Sequence, residues 1–355
     1  MADSPPQHKR RPRYRGKNPR AFHEKYKELD PVRYRADVEK VLAAGKTPAG
    51  SHRPIMVDEI LECLSPAPGQ VAVDVTLGGG GHARAILERI MPGGRLIGLD
   101  VDPIELPRTE ARLRDAGLAA DVFTVHHSNF AGLARVLADE GLTGVDIILA
   151  DLGVSSMQLD NPDRGFGFSE SGPLDMRMNP HKGLPASQLL VRTPIDKLAR
   201  LLEANADEPH ADAIAAALKT MPIDTTDTLH DAVRDALRGL RLSGDEETAS
   251  VRRTFQALRI AVNDEFATLD WFLRSLPECL APGGRIAILT FHSGEDRRVK
   301  KSLQSGHRDG LYGSISEEVV RASRDEVRAN PRASSAKLRW AIRAQSPTAA
   351  VPIPS

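Results

Sequence analysis

Five short runs of β-prone residues stand out along the chain: VAVDV (71–75), RLIGLDV (95–101), DVFTVHH (121–127), VDIILADL (145–152) and GRIAILTF (284–291). The middle ones are almost continuously apolar, the pattern of strands covered on both faces. Between the first four lie stretches such as ARAILERI and FAGLARVLADEGL, whose apolar residues recur at helical spacing. Strand and helix in alternation predict an α/β fold with a parallel sheet wrapped on both sides, a Rossmann-like arrangement. From Met157 to about Thr248 the alternation stops. A Gly/Pro/Asp-rich loop runs to Gly183, and the helical runs PASQLLVR, PIDKLARLLEA, HADAIAAALKT and LHDAVRDALRGL follow it. The strand at 284 resumes the sheet, so a helical domain is inserted between strands four and five. VRRTFQALRIAVNDEFATLDWFL reads as the single helix that returns the chain to the sheet.

These patterns divide the chain into a sheet domain of residues 51–156 and 249–345, a lid loop with helical insertion at 157–248, an N-terminal extension at 1–50 and a tail at 346–355. The extension opens Pro-rich and basic, with KRRPRYRGKNPR from Lys9 to Arg20. It has too little apolar content to pack, which predicts disorder to about residue 22. Charged, helix-prone sequence follows to Ala44. Lys plus Arg and Asp plus Glu each total 48, so only that local cluster speaks for a polyanionic partner. Cys63 and Cys279 form no C-x-x-C pair and no disulfide framework, which fits a reducing, cytoplasmic setting. No apolar run reaches the length of a membrane span, and no apolar segment follows the basic start as in a secretory signal.

Candidate chemistry begins at VTLGGGGH. In a doubly wound sheet, ligands bind beyond the carboxyl ends of the strands, and glycines at the first turn let backbone approach them. Nineteen residues past Gly81, Asp100 ends the second strand, where a carboxylate can accept ribose hydroxyls. Gly78-x-Gly80-x-x-Ala83 satisfies a relaxed dinucleotide fingerprint. The Asp74-x-Thr76 lead-in, the Asp151-Leu152-Gly153 end of strand four and the long insertion after it favour S-adenosyl-L-methionine instead. The remaining alternative is that the glycines merely make a tight turn.

Nine motifs occur in order from about His52 to Arg339: HRPIMVDEIL, DVTLGGGGHARAIL, GLDVDP, DLGVSSMQLD, RGFGF, GPLDMRM, RRTFQALRIAVNDE, APGGRIAILTFHSGEDRRVK and NPRASSAKLR. Together they resemble the RsmH (MraW) family, cytosine-N4 methyltransferases of bacterial small-subunit ribosomal RNA. The resemblance implies a class I S-adenosylmethionine-dependent methyltransferase fold and methylation of the exocyclic N4 of a decoding-centre cytidine in 16S rRNA. Its partner would be the small ribosomal subunit, its location the cytoplasm, and its oligomeric state either monomer or homodimer. Carried onto matching positions, the cofactor contacts are Gly80, Gly81 and His82 at the first turn, Asp100 on the ribose, Phe130 beside the adenine, and Asp151 and Gln158 near the methionine end.

Three features depart from the family pattern. Residues 206–213 read ADEPHADA where a Gly-Glu-Glu and a basic helix start are usual. Residues 248–252 read TASVR in place of His-Pro-Ala-Thr before Arg-Thr-Phe-Gln. Gly294 replaces a common leucine. The basic extension is a further difference, and its phosphate-neutralising charge could compensate for cations lost from the insertion.

A cytosine amine is a poor nucleophile, because its lone pair is delocalised, and methyl transfer needs it held in line with the sulfonium carbon. An acceptor for an amine hydrogen assists. Asp151, or a backbone carbonyl beside it, is the candidate, with Ser155 and Ser156 positioning the base or simply capping the next segment. His82 reads as a cofactor-side contact rather than a base. His126, His127 and His292 lack a third ligand at fitting spacing for a metal. Ser293 and Asp296 read as a capping-box variant, and His292 with Ser293 as the rim of a pocket. In Arg164–Pro180, either Phe166 and Phe168 stack on bases while Arg164 or Arg177 holds phosphate, or the rings pack inward and the arginines pair with Asp163 and Asp175. The competing readings are the same chemistry on another RNA, DNA or protein, a non-catalytic assembly factor that binds cofactor, and a dinucleotide oxidoreductase.

Overall fold

The structure is a computed structural model and describes residues 54–345. The expectations for the N-terminal extension and for the tail at 346–355 fall outside those residues. Seven strands form one sheet in the order β3-β2-β1-β4-β5-β7-β6, with β1 Val71–Asp74, β2 Arg95–Asp100, β3 Phe123–His127, β4 Val145–Asp151, β5 Leu280–Thr290, β6 Tyr312–Ile315 and β7 Lys337–Arg343. The first five are parallel and β7 runs antiparallel between β5 and β6. This is the Rossmann-like methyltransferase architecture that the resemblance implied. The direction of the chain reverses between β2 and β4 on either side of β1, which opens a crevice beyond their carboxyl ends.

The central strands β1, β2, β4 and β5 are apolar on both faces because helices cover both. On one face Val73, Ile97, Ile148 and Ile288 pack under α4 (Leu133–Asp139), α11 (Glu265–Cys279) and α12 (Ser293–Arg308). On the other, Ala72, Leu96, Ile147 and Leu289 pack under α1 (Val57–Leu64), α2 (Gly81–Ile90) and α3 (Glu105–Asp115). Between β4 and β5 the chain adds α5 (Ser156–Asp160), α6 (Ala186–Arg192), α7 (Ile195–Ala206), α8 (Ala211–Ala217), α9 (Thr226–Leu237) and α10 (Gly244–Asn263). These build a core of their own from Leu190, Leu198, Leu202, Ile214, Leu229 and Val233. The short α13 (Arg324–Ala329) precedes β7.

Three local outcomes differ from the hydrophobic pattern. The single helix expected through VRRTFQALRIAVNDEFATLDWFL is two, broken at Asp264, whose φ of 51° is left-handed. Just before the break, the Asn263 side chain accepts from the Met178 amide at 2.7 Å and donates to the Met176 carbonyl at 2.8 Å, so the bend fixes the loop after β4. The first of the pair, α10, also runs through position 248, and its Val251, Phe255 and Leu258 belong to the insertion's core. β5 starts at Leu280 rather than Gly284, and β6 and β7 were not anticipated, since YGSI is short and KLRWAIR alternates charge with bulk.

Phe272, with no exposed surface, meets Phe130 edge-on at 5.5 Å between ring centres. Phe272→Ala is expected to cost about 3–5 kcal/mol of stability. Urea unfolding should show this as a lowered midpoint with an unchanged slope.

Candidate active site

The crevice is lined by carboxylates from the ends of three neighbouring strands. Asp74 ends β1 and is 1% exposed; its Oδ1 accepts from the Thr76 amide at 3.1 Å. The Thr76 hydroxyl in turn accepts from the Asp151 amide at 2.6 Å, which ties the ends of β1 and β4 together. Asp100 ends β2. Its Oδ2 accepts from the Gly78 amide at 2.7 Å and its Oδ1 from the Asp102 amide at 2.9 Å, so the second-strand carboxylate holds the glycine loop directly. An ionised carboxylate has about four acceptor positions, so Asp100 keeps capacity for further donors.

Gly78 and Gly80 have φ of 47° and 72°, conformations that favour glycine. A Cβ on Gly80 would lie 2.9 Å from Leu113 and 3.0 Å from Thr109 of α3, and one on Gly81 would overlap the Pro54 ring. Bareness at these two positions therefore serves helix packing, and only their backbone is available to a ligand. At Gly79, by contrast, the nearest atom to such a Cβ is Arg112 Nη2 at 4.0 Å. The loop carbonyls are themselves held: Thr109 donates to Gly78 O at 2.6 Å and Arg112 to Gly79 O at 2.8 Å.

His82 is buried in the first turn of α2, and burial lowers its pKa below the ordinary histidine value. Its Nε2 lies 2.9 Å from the Ile55 carbonyl, which can only accept, so Nε2 carries the ring proton and Nδ1 is left as an acceptor. Nδ1 faces Asp151 Oδ2 at 3.6 Å. The Asp151 side chain retains 29% exposure, yet its Oδ1 is buried without a hydrogen-bond partner. Burial, reinforced by the negative charge of Glu295, pushes Asp151 up to about 7. Burial likewise lifts Asp74 to about 6 and raises Asp100.

Glu295 goes the opposite way. Burial would raise it, but His292, Arg259 and the Phe291 amide outweigh that and hold it ionised. Two coupled carboxyls, Asp151 and the buried Glu295, are thus driven apart in pKa, the arrangement that separates proton-accepting from charge-bearing roles. The helix cap after β5 is also built by Glu295, which accepts from the Phe291 and His292 amides at 2.9 and 3.4 Å. This replaces the Ser293–Asp296 box expected from sequence, because Asp296 pairs with Arg339 at 2.6 Å. His292, 3.2 Å from Glu295, also comes together with Glu265, a grouping that linear spacing hides. Glu265 gives both oxygens to Arg259 at 2.8 Å, so these charges are already matched as ion pairs.

Asp102, 1% exposed, was not singled out in the sequence, although it sits in GLDVDP. Its Oδ1 accepts from the Ile104 amide at 2.9 Å and the Glu105 amide at 3.3 Å. Its Oδ2 takes Gln158 Nε2 at 2.7 Å and Arg164 at 2.8 Å. Gln158 also closes the capping box with Ser155 that starts α5, which settles that serine's local role as a cap. Arg164 donates to the carbonyls of Arg177 and Met178 at 3.0 and 2.9 Å. Of the two readings of Arg164–Pro180, the inward one describes the structure: Phe166 is buried, Phe168 packs on Phe255, and Arg177 grips Asp175. Arg164 pairs with Asp102 rather than Asp163. Phe130 is half-buried just past β3, and His126 contacts Glu140 at 2.6 Å. Asp100, Asp151 and His82 thus gather around one crevice with Asp74 and Thr76, while Gln158 reaches it through Asp102.

The two segments that depart from the family pattern meet in the insertion. Buried Glu208 accepts from Ser250 at 2.9 Å and faces Arg253 at 3.5 Å. Beside them lies a cavity of about 280 Å³ lined by Pro209, His210, Asp245, Glu246, Ser250 and Arg253 among others.

Among known proteins, the model of the "MraW methylase family" matches residues 49–344. "Ribosomal RNA small subunit methyltransferase H 1" of Lachnoclostridium phytofermentans is 47% identical over 346 residues, covering 96% of this chain and 94% of its own. "Ribosomal RNA small subunit methyltransferase H 2" of Alkaliphilus metalliredigens is 49% identical over 342 residues, covering 94% and 97%. A 96% match takes in most of the first 50 residues, so the extension is shared with such relatives. "Ribosomal RNA small subunit methyltransferase H" of Heliobacterium modesticaldum is 42% identical and places 97% of its length on 82% of this chain. No helix among the described residues is long and apolar enough to cross a membrane.

Two outcomes are expected. Because Asp151 titrates higher folded than unfolded, the folded state binds the extra proton between about pH 4 and 7, and stability falls as pH rises through that window. Asp151→Asn should flatten that part of a urea-derived stability profile and gain most above pH 7. Arg164→Met strands the Asp102 carboxylate and should cost about 3–5 kcal/mol, with faster proteolysis at 161–183. The double variant D102N/R164M should recover part of that loss.

Proposed function

The chain belongs to the MraW methylase family, and from that premise we propose that it transfers a methyl group from S-adenosyl-L-methionine to the exocyclic N4 of a decoding-centre cytidine in 16S ribosomal RNA. Its substrate is then the small ribosomal subunit, and its place of work the cytoplasm. The observation that carries the reading is Asp151 at the end of β4: a carboxyl with one buried, unpartnered oxygen, raised to about 7 beside a crevice at the reversal point of the sheet. A buried acceptor without a donor is costly unless a ligand supplies one.

The residues present fit the cofactor. Backbone at Gly80 and Gly81, with His82, would border the methionine part; Asp100 has acceptor capacity for ribose hydroxyls; Phe130 offers a ring face at the adenine position. When bound, the cofactor supplies a methyl carbon made electrophilic by its sulfonium. Gln158 holds Asp102 and with it the wall of the site nearest α5.

Asp151 Oδ1 accepts one hydrogen of the amine, which draws the nitrogen lone pair out of conjugation and aims it along the line of attack. Asp151 would take the proton that the amine gives up on methylation. The ionised state needed to receive it is the minor form below pH 7 and the major form above. His82 Nδ1, 3.6 Å from Asp151 Oδ2, adds no positive charge beside the carboxyl, since burial keeps its ring neutral. Glu295, fixed as an anion by His292 and Arg259, keeps Asp151 basic enough for the task.

Methyl transfer from labelled cofactor to small subunits lacking the modification, read by nucleoside mass spectrometry, tests the reading. N4-methylcytidine should appear with enzyme alone. Asp151→Ala should lower kcat by about 10²-fold or more while cofactor affinity stays within a few-fold. Cofactor binding without product would make the chain an assembly factor, and product on another acceptor would change the substrate.

A further inference from the structure

Outside the crevice, the outer surface of two adjacent helices carries a pattern that the chemistry above does not use. Helix α12 exposes Arg297, Lys301, Gln304 and Arg308, spaced i, i+4, i+7 and i+11 along a single stripe, with Lys300 beside it. Its acidic residues, Glu295 and Asp296, lie on the inner side and are engaged there. The stripe spans about 16 Å at 1.5 Å per residue. On neighbouring α11 the exposed line is Ala267, Trp271, Arg274 and Glu278. Trp271, one of two tryptophans in the chain, is 64% exposed, and the Arg274 guanidinium stacks on its ring at 4.6 Å.

The two lines are locked side by side. Arg298 of α12 lies 3.6 Å over the Phe266 ring and 3.5 Å from Asp270, both on α11, so the helices cannot slide past one another without breaking these contacts. Trp271 follows Asp270 directly, and Arg274, which stacks on its ring, lies one helical turn beyond Asp270, on the side of α11 that meets Arg298 of α12. The neighbouring acids are few and mostly paired: Asp207 with Arg297 at 2.9 Å and the half-exposed Asp270 with Arg298, while Glu278 and Asp309 mark the ends. An exposed ion pair such as Arg297–Asp207 contributes little and yields readily to a phosphate.

We infer that the α11–α12 face grips ribosomal RNA outside the reaction crevice, with Trp271 stacking on an unpaired base and Arg297, Lys301 and Arg308 following the phosphate backbone. The inference rests on the RNA substrate proposed above. A ring that is largely exposed and held on one face by a guanidinium is a low-entropy stacking platform, and a cationic line beside it is what single-stranded RNA requires. An acidic peptide would match the cations but has no planar base to place on the ring. The face and the crevice are joined through the start of α12: His292 caps the helix, and Glu295 in its first turn raises the pKa of Asp151.

The test compares wild type with K301Q/R308Q, with W271A, and with R84Q/R89Q on α2, whose side chains lie across the sheet. Small subunits lacking the modification are the probe, and each protein's KM, kcat, cofactor affinity, salt dependence of subunit binding and sedimentation mass are measured. K301Q/R308Q should raise KM about tenfold, leave kcat and cofactor affinity unchanged, and reduce the slope of log affinity against log salt by about two. W271A should raise KM several-fold with an unchanged salt slope, because stacking releases no counterions. Unchanged KM and slope in both variants, with wild type active, would overturn the inference and leave the proposed reaction standing. An equal effect of R84Q/R89Q would reduce it to net charge, and a changed sedimentation mass in W271A would give the face to a second copy of the chain. A wild type that makes no N4-methylcytidine would fail the underlying reading instead.

Discussion

Four carboxyl groups, Asp74, Asp100, Asp102 and Asp151, crowd the carboxyl ends of three adjacent parallel strands, and the rest of the molecule is arranged around that expense. Like charges so close, and largely removed from water, cannot all remain ionised at no cost. The chain meets the cost in three ways. Asp100 and Asp102 are satisfied by backbone amides, and Asp102 also by Arg164 and Gln158. Asp74 accepts from Thr76, whose hydroxyl joins β1 to β4. Asp151 keeps a buried oxygen with no donor, and shifts further toward its neutral form than Asp74, to about 7 against about 6.

The same electrostatics couples the sheet to the helical insertion. Arg164 leaves the loop after β4 to neutralise Asp102, and its other donors hold the carbonyls of Arg177 and Met178. Met176, buried with a left-handed φ of 63°, is fixed from both sides: its amide donates to Arg164 O and its carbonyl accepts from Asn263. Gly165 and Gly172 have no room for a Cβ against backbone atoms of the same loop, and Gly167 none against the Leu159 carbonyl of α5. A loop rich in glycine and arginine is therefore a tightly wound wall of the site, held by one buried ion pair at its base and one asparagine at the break between α10 and α11.

Much of this was legible in the sequence because it is periodic or local. Continuous apolar runs gave five strands, and the glycine turn with Asp100 at the next strand end located the crevice. What stayed hidden depends on distant pairs. Nothing in linear spacing joins Asp102 to Arg164, or Glu265 to His292, and a glycine's bare side is not known to face Leu113 or Pro54 until α3 and the segment before α1 are placed. Local competition hid the rest. Glu295 takes the cap instead of Ser293 and Asp296 because Arg339 of β7 holds Asp296, and β7 itself was obscured by its charges Lys337, Arg339 and Arg343, of which Arg339 is buried in that pairing. The family resemblance supplied a cofactor and an acceptor, which residue patterns alone left among several alternatives.

The central claim is that Asp151 receives the amine proton. The pH dependence of single-turnover methyl transfer to small subunits tests it most directly. The account predicts a rate that climbs through one ionisation near pH 7 to a plateau, and loses that ionisation along with most of its magnitude in Asp151→Asn. A rate independent of pH between about 6 and 9, or an Asp151→Asn variant that keeps the wild-type profile, would contradict it.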